Sequence, residues 1–147
     1  MADPLSGTGP ATVADRLAAV RRRIEAAGAD PARVELVAVT KGFGLDTVEA
    51  ALGAGLVDLG ENYAQELLDK AAAVGGTATT GAAEPADRVV RWHFIGRIQR
   101  NKVRKLAPLV ALWQTVDRAE VGEEIARRRP GAEVLVQVNT TGEPQKG

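Results

Sequence analysis

Five short apolar runs recur along this sequence at intervals of similar length, and a helical pattern follows each of the first four. The runs end near residues 40, 60, 96, 116 and 139, so successive ends lie 20, 36, 20 and 23 residues apart. An alternation of strand and helix at this spacing predicts parallel strands joined by right-handed crossovers. The sequence therefore predicts an α/β domain built around a parallel sheet.

The one long interval contains segment 74–89, which is rich in Gly, Thr, Ala and Pro. The segment has 16 residues, and the long interval exceeds the first interval by the same number. Low complexity without periodicity predicts a surface loop, and without that loop the repeat of strand and helix is regular. We also predict a short disordered tail over residues 1–11 and a domain over 12–147.

A repeat of this length fits either a (β/α) barrel or a doubly wound sheet. The dinucleotide-binding pattern G-x-G-x-x-G does not follow the first run, so we favour the barrel. A closed barrel of this kind has eight strands, and five strands leave two edges with unpaired backbone groups. We therefore expect an incomplete (β/α)8 TIM-barrel type fold of about five βα units, the front part of a longer domain.

Composition excludes several classes of function. The 19 basic residues balance the 19 acidic ones, whereas a dedicated nucleic-acid binder usually carries an excess of Lys and Arg. The absence of cysteine excludes disulfides, thiolate metal sites and a Cys nucleophile. No apolar run approaches about 18 residues, and the N-terminus lacks the basic and apolar regions of a secretory signal. We expect a monomeric, cytoplasmic protein without nucleic-acid or membrane partners.

Helix starts are predicted where a capping residue precedes an acid or amide by three positions. Thr12, Asp46, Asn62 and Asp117 are such residues, with Asp15, Glu49, Gln65 and Glu120 as their partners. In a capping box, the first side chain accepts a backbone N–H bond and the second reaches back.

The first run ends on Lys41, a position that is typical of a functional group. In parallel sheets and (β/α) barrels, chemistry collects at the carboxyl ends of the strands. The run 34–40 is apolar at nearly every position, which predicts a strand covered on both faces. A lysine amine attacks a carbonyl only when neutral, and burial beside apolar walls favours that form. Lys41 could form a Schiff base with a sugar or with pyridoxal phosphate, or it could be a solvated lysine that ends a strand.

Three further candidates lie in or just after the second and third runs. The amide of Asn62 could bind a ring oxygen or a phosphate, or it could only cap the following helix. His93 could act as an acid or base, but a lone histidine in an apolar strand is more often a hydrogen-bonded core residue. Gly96, at a strand end, would permit close approach of the backbone to a ligand.

Two weaker candidates lie later in the chain. The basic cluster over 97–105 could bind phosphate, although a short basic helix on a neutral protein is more often a solvated face. Gln137 and Asn139 alternate with two valines in the fifth run, so they point to one side of the strand. If that side is the barrel interior, both side chains would lie near a ligand.

An ordered set of motifs resembles one protein family. The motifs are Val37-Ala38-Val39-Thr40-Lys41, Gly60-Glu61-Asn62-Tyr63-Ala64-Gln65-Glu66, Trp92-His93-Phe94-Ile95-Gly96 with Gln99 and Asn101-Lys102, and Thr115-Val116-Asp117. In this order, over residues 12–147, they resemble the pyridoxal phosphate homeostasis protein family, also called YggS-like or PROSC-like. The resemblance implies a fold related to the alanine racemase N-terminal domain. It also implies that Lys41 forms an internal aldimine with pyridoxal 5′-phosphate and that Asn62, in the family's GENY motif, contacts this cofactor.

The resemblance further implies a function in pyridoxal phosphate homeostasis. Family members bind the cofactor and help to keep its free level in check, without an established catalytic reaction. The alternative is a pyridoxal phosphate-dependent enzyme of the alanine racemase-like barrel class that acts on amino acids. A racemase needs a second acid/base on the other face of the cofactor, and alanine racemase takes it from a second domain of a partner subunit. The sequence supplies no such group, so we expect a binding protein without catalytic activity.

Family members hold the cofactor phosphate near the last two strands of the full barrel. They use a Ser-containing segment and a Gly-Ser-Thr segment followed by an arginine that faces the pyridine nitrogen. The present sequence ends at Gly147, before these segments. We therefore expect the 147-residue chain to keep the covalent anchor, to lack the phosphate grip and to bind the cofactor weakly. A truncated gene, a fragment and a genuine short product would each give such a sequence.

Overall fold

The computed structural model describes residues 10–75 and 90–142, where helices and strands alternate. The elements are α1 (Pro10–Ala26), a 3-10 turn (Pro31–Arg33), β1 (Ala38–Val39), α2 (Leu45–Gly53), β2 (Asp58–Glu61), α3 (Ala64–Val74), β3 (Arg91–Phe94), α4 (Arg100–Leu106), β4 (Val110–Val116), α5 (Ala119–Arg128) and β5 (Glu133–Val136). The tail predicted over 1–11 and the loop predicted over 74–89 lie almost entirely outside the described residues. Within those residues, no helix is long and apolar enough to cross a membrane.

The strands form one parallel sheet in the order β1-β2-β3-β4-β5. Each strand therefore pairs with the next one along the chain, and the intervening helix returns the chain to the end of the sheet at which every strand begins. Successive helices, from α1 through α5, contact one another. The predicted α/β class and the predicted parallel strands are confirmed.

One face of the sheet carries the hydrophobic core. Leu59, Trp92 and Trp113 lie on this face and are fully buried. Apolar side chains from α2 to α5 pack against them, among them Val48, Leu67, Val103 and Ile125. The core therefore lies between the sheet and the helices, and it holds the strand ends at a fixed spacing.

The opposite face is only partly covered. The register aligns Val39 with Gly60, His93 and Leu112 on this face, and Val39 is 48% exposed. The prediction of a first strand covered on both faces is therefore wrong for the described chain. The open face admits solvent because the helices pack on the other side of the sheet.

The predicted helix starts and the end of the fifth strand differ from the structure. α1 begins at Pro10, ahead of Thr12, and the N-cap residues of α2, α3 and α5 are Gly44, Tyr63 and Arg118, none with a side-chain cap bond. Asp46 instead lies in the first turn of α2, where the positive end of the helix dipole stabilises a carboxylate. β5 ends at Val136, three residues before the predicted end.

Candidate functional site

The carboxyl ends of β1 to β4 are joined by hydrogen bonds into one rim. The Thr40 N–H donates to the Gly60 carbonyl at 3.0 Å, and the Ile95 N–H donates to the Glu61 carbonyl at 2.9 Å. The Thr115 hydroxyl donates to the Gly96 carbonyl. Residues that follow adjacent strands are therefore held side by side, as expected for a site at the ends of parallel strands.

Lys41 follows β1 at this rim and begins a tight turn. The Phe43 N–H donates to the Thr40 carbonyl at 3.1 Å, and Gly42 adopts the left-handed φ of 74° that glycine tolerates best. Lys41 is exposed, and its side chain forms no hydrogen bond or ion pair with the residues that the structure describes. The expected burial beside apolar walls is therefore not supplied by the described residues, whereas the amine is accessible to a ligand.

Asn62 follows β2, the strand next to β1, and its side chain is half-buried. Tyr63, not Asn62, is the N-cap residue of α3, and no side chain caps that helix. The alternative that Asn62 serves only as a helix cap is therefore wrong. Its amide makes no hydrogen bond within 10–75 and 90–142, and it lines a cleft of about 260 Å³ with Arg97 and Lys102.

Gly96 is required by the protein's own backbone. A Cβ at this position would lie 2.1 Å from the carbonyl oxygen and 2.7 Å from the Cα of Asn62. We predicted a glycine that lets a ligand approach, and the neighbour found within the described residues is the turn that carries Asn62. Gly96 thus sets the position of Asn62 at the rim.

A buried polar cluster lies behind Lys41, between the sheet and α3, and sequence reasoning missed it. The Lys70 ammonium donates to the Glu61 carboxylate at 2.7 Å and to the Thr40 carbonyl at 2.8 Å. The Thr40 hydroxyl donates to the same Glu61 oxygen at 2.6 Å. Burial raises the pKa of Glu61, and the hydrogen bond from Lys70 opposes that rise. The available signal was a lysine beside Leu67 and Ala71 on the apolar face of a predicted helix.

His93 belongs to a second polar network, on the open face of the sheet. Its Nε2 lies 2.9 Å from Asp58 Oδ1, and its Nδ1 lies 2.9 Å from Gln114 Nε2. The ring is buried with both nitrogens bonded, so the interpretation as a hydrogen-bonded core residue agrees with the structure. His93, Asp58 and Glu35 are near enough to share a metal ion, but the Arg91 guanidinium already pairs with both carboxylates.

The basic cluster over 97–105 divides into two groups. Arg97 and Arg100 face carboxylates, with 4.0 Å from Arg97 to Asp117 and 3.6 Å from Arg100 to Glu124. Arg104 and Lys105 are exposed on α4, which fits the interpretation as a solvated face. Arg97 and Lys102 also line the cleft beside Asn62.

Gln137 and Asn139 lie past the end of β5, at the opposite edge of the sheet from β1. The Gln137 N–H donates to the Val116 carbonyl at 2.9 Å. The Asn139 side chain accepts hydrogen bonds from the N–H groups of Thr141 and Gly142 at 3.1 and 3.0 Å, which bends the chain beyond the strand. The structure does not bring these two side chains together with Lys41.

Comparisons with known proteins identify similar chains. No family model matches the sequence. A pyridoxal phosphate homeostasis protein from Pseudomonas aeruginosa is 41% identical over 143 residues, which cover 92% of this chain and 57% of that protein. The protein of the same name from Escherichia coli K12 is 34% identical over 91% of this chain and 57% of its own length. The chain thus spans a little over half the length of these curated relatives.

Solved structures give a similar result. The structure of PipY from Synechococcus elongatus PCC7942 without pyridoxal phosphate matches with a TM-score of 0.71 at 28% identity, over 92% of this chain and 57% of that one. The structure of PipY with pyridoxal phosphate bound matches with a TM-score of 0.63 at 29% identity, over 79% and 47%.

Proposed function

The chain belongs to the pyridoxal phosphate homeostasis protein family, and we propose that it holds pyridoxal 5′-phosphate reversibly on Lys41 and so helps to control the free level of this cofactor. The observation that carries the proposal is the position of Lys41. Its exposed amine lies free of protein partners in the described chain, just past the end of β1, and the neighbouring strand β2 ends immediately before Asn62.

The residues at the rim fit this cofactor in their chemistry. Lys41 supplies a primary amine for covalent attachment, and the free amide of Asn62 can donate to or accept from a polar ring substituent. Arg97 and Lys102 in the adjacent cleft can attract a phosphate group. When bound, the cofactor supplies an aldehyde, which an amine captures as a Schiff base with loss of water.

We infer that the sheet is the first part of a (β/α)8 barrel. In a doubly wound sheet the strand order reverses at a switch point, whereas a barrel wall adds strands in sequence. The order β1-β2-β3-β4-β5, with each helix in contact with the next, supports the barrel. A barrel would also place Lys41 and Asn62 at the carboxyl ends of its strands, where the functional sites of such barrels lie.

A spectroscopic titration tests the proposed attachment. Addition of pyridoxal 5′-phosphate to the 147-residue chain should produce an imine absorbance band, at concentrations that reflect weak binding, and dilution should reverse it. Lys41→Arg keeps the positive charge but removes the nucleophilic amine, so it should abolish the band. Lys105→Arg, the same change at an exposed position of α4, should leave the band intact. An equal band in Lys41→Arg would reject Lys41 as the site.

The enzymatic alternative has a separate test. A racemase-like enzyme would exchange the α-proton of an amino acid with solvent in deuterated water, whereas a binding protein would not. We expect no exchange above that of the free cofactor when the loaded chain is incubated with alanine and other amino acids. Exchange that exceeds the free-cofactor rate and disappears in Lys41→Arg would replace our proposal with catalysis.

A further inference from the structure

Two side chains of α3 hold the main chain on both sides of Lys41. The Lys70 ammonium donates to the Thr40 carbonyl at 2.8 Å, and this carbonyl belongs to the peptide bond that enters Lys41. The Glu66 carboxylate accepts the Gly42 N–H at 2.9 Å, and this N–H belongs to the peptide bond that leaves Lys41. Glu66 and Lys70, which are one helical turn apart, thus form a clamp around Lys41; we call this pair the α3 clamp.

The strand that carries Lys41 gives it little support of its own. β1 contains only two residues, Ala38 and Val39. Backbone bonds beyond the strand are few: the Thr40 N–H bonds to Gly60, and the Phe43 N–H closes the turn. Hydrogen bonds in which one partner is charged are stronger than those between neutral groups. The α3 clamp therefore fixes a segment that the sheet alone would leave loosely held.

The clamp is itself fixed by a buried charge pair. Lys70 is only 6% exposed and Glu61 is fully buried, and their charged atoms lie 2.7 Å apart. Lys70 also lies 3.5 Å from Glu66, so the clamp residues are paired with each other across one helical turn. All three N–H donors of the Lys70 ammonium have acceptors, namely the Thr40 carbonyl, Glu61 and Glu66. Lys70 is therefore a positioned donor and does not compete with Lys41 as a nucleophile.

We propose that the α3 clamp of Glu66 and Lys70 positions Lys41 for its reaction with the cofactor aldehyde. This role rests on the proposed function. Both are positioning residues: they touch the main chain beside Lys41, and neither needs to touch the cofactor. A primary amine held at one place on the rim reacts faster with a carbonyl in the adjacent cleft than an amine on a mobile turn, since its orientation is fixed before the encounter.

The first experiment measures the clamp without any cofactor. Amide hydrogen exchange of Gly42, followed by NMR in the 147-residue chain, should be about tenfold faster in Glu66→Ala than in wild type, the factor for a loss of about 1.4 kcal/mol. Asp69→Ala is the matched control, because Asp69 is an α3 carboxylate bonded to Gln65 and does not contact the turn. Equal Gly42 exchange in wild type and Glu66→Ala would overturn the proposal.

The second experiment measures positioning at the amine itself. Limiting pyridoxal 5′-phosphate is added, borohydride traps the product, and peptide mass spectrometry gives the share of label on Lys41 relative to exposed Lys105. We expect this share to fall at least threefold in Glu66→Ala and in Lys70→Met, to recover in Glu66→Gln, which keeps an acceptor for Gly42, and to stay unchanged in Asp69→Ala. A merely structural role would alter unfolding but leave the share constant, and that result would overturn the proposal.

The two experiments also separate this inference from the proposed function. If wild type carries no label on Lys41, the proposed function fails, while faster Gly42 exchange in Glu66→Ala still supports the clamp. If Lys70→Met does not fold, the partly exposed Glu66 still provides the decisive comparison, because replacement of a side chain at the surface of α3 spares the core.

Discussion

Gly96→Ala should destabilise the chain strongly, although alanine is a small substituent. The φ angle of Gly96 is not among the positive ones, so the backbone conformation itself admits alanine. Space decides the outcome, because the new Cβ would lie 2.1 Å from the Asn62 carbonyl oxygen and 2.8 Å from its carbonyl carbon. These atoms belong to backbone, which cannot rotate away as a side chain can, so one strand end must move by about 1 Å in a close-packed region.

The expected cost follows from two contacts. Overpacking of this kind costs about 1–3 kcal/mol, and movement of Gly96 weakens the bond from the Thr115 hydroxyl to its carbonyl, worth about 1 kcal/mol. The unfolded alanine variant has a smaller conformational entropy than the unfolded wild type, which stabilises the folded variant by about 0.5–1 kcal/mol. We expect the free energy of unfolding of Gly96→Ala to be lower than that of wild type by about 1–3.5 kcal/mol.

Urea unfolding at equilibrium measures this difference, and Gly122→Ala is its matched control. Gly122 lies inside α5, and a Cβ there would meet Val116 at an ordinary 3.6 Å. Alanine at that position should stabilise the helix by about 0.5–1 kcal/mol. The two identical substitutions should therefore have opposite signs. If Gly96→Ala unfolds within about 0.5 kcal/mol of wild type, the packing argument that places Asn62 at the rim is wrong.

Three other perturbations test other parts of the structure. Leu59→Ala, at a fully buried position of β2, should lower the free energy of unfolding by about 2–5 kcal/mol. Val138→Ser, at a position that is 74% exposed, should change it by less than about 0.5 kcal/mol. Comparable urea midpoints for the two variants would refute the assigned core. His93→Phe should lower the free energy of unfolding by about 1–3 kcal/mol because it leaves the Gln114 amide without its partner. The borohydride-trapped label on Lys41 should nevertheless stay at the wild-type level. Loss of that label in a folded variant would show that His93 acts in the site. The Gly42 N–H lowers the pKa of Glu66 below its ordinary value of 4.5, so ionised Glu66 stabilises the fold above that pH and loses this contribution as the pH falls through the lowered pKa. Glu66→Gln should therefore be less stable than wild type at pH 7, by less than about 1 kcal/mol because the group is partly exposed. Urea unfolding should show that this difference shrinks as the pH falls below 4.5; a difference that grows toward acid pH would contradict the assigned direction.

The sequence predicted the parts of this structure that depend on local pattern. Apolar runs and their spacing predicted five parallel strands, and the ends of the first two strands placed Lys41 and Asn62 on neighbouring positions of one rim. These predictions succeed because the burial and the length of a strand determine the pattern of apolar residues along the sequence. The first and fifth runs are also rich in valine, a β-branched residue that favours strands.

The buried polar cluster of Thr40, Glu61 and Lys70 could not be predicted in the same way. Glu61 and Lys70 lie nine positions apart, on a strand and on the following helix, and their pairing depends on how that helix packs. Charge at these positions suggests solvent exposure, whereas the structure buries both groups as an ion pair with 2.7 Å between the charged atoms. Sequence alone gives residue types in order, and a pair formed across two elements depends on the packing angle between them.

The predicted helix caps failed for a related reason. A capping box is a local pattern, but the turn from each strand into the next helix is also fixed by the rim. Asn62 precedes the N-cap of α3, and its backbone packs against Gly96, two residues beyond the end of β3. Tertiary contact thus overrides the local preference at the position where the site is built.

The central claim is that Lys41 is the residue that holds the cofactor. The most direct measurement is peptide mapping after the 147-residue chain has been saturated with pyridoxal 5′-phosphate, reduced with borohydride and digested. The account predicts that the pyridoxyl mass lies predominantly on the peptide that contains Lys41 and disappears from it in Lys41→Arg without appearing in equal amount elsewhere. Label spread evenly over the five lysines, or concentrated on a lysine other than Lys41, would contradict the account.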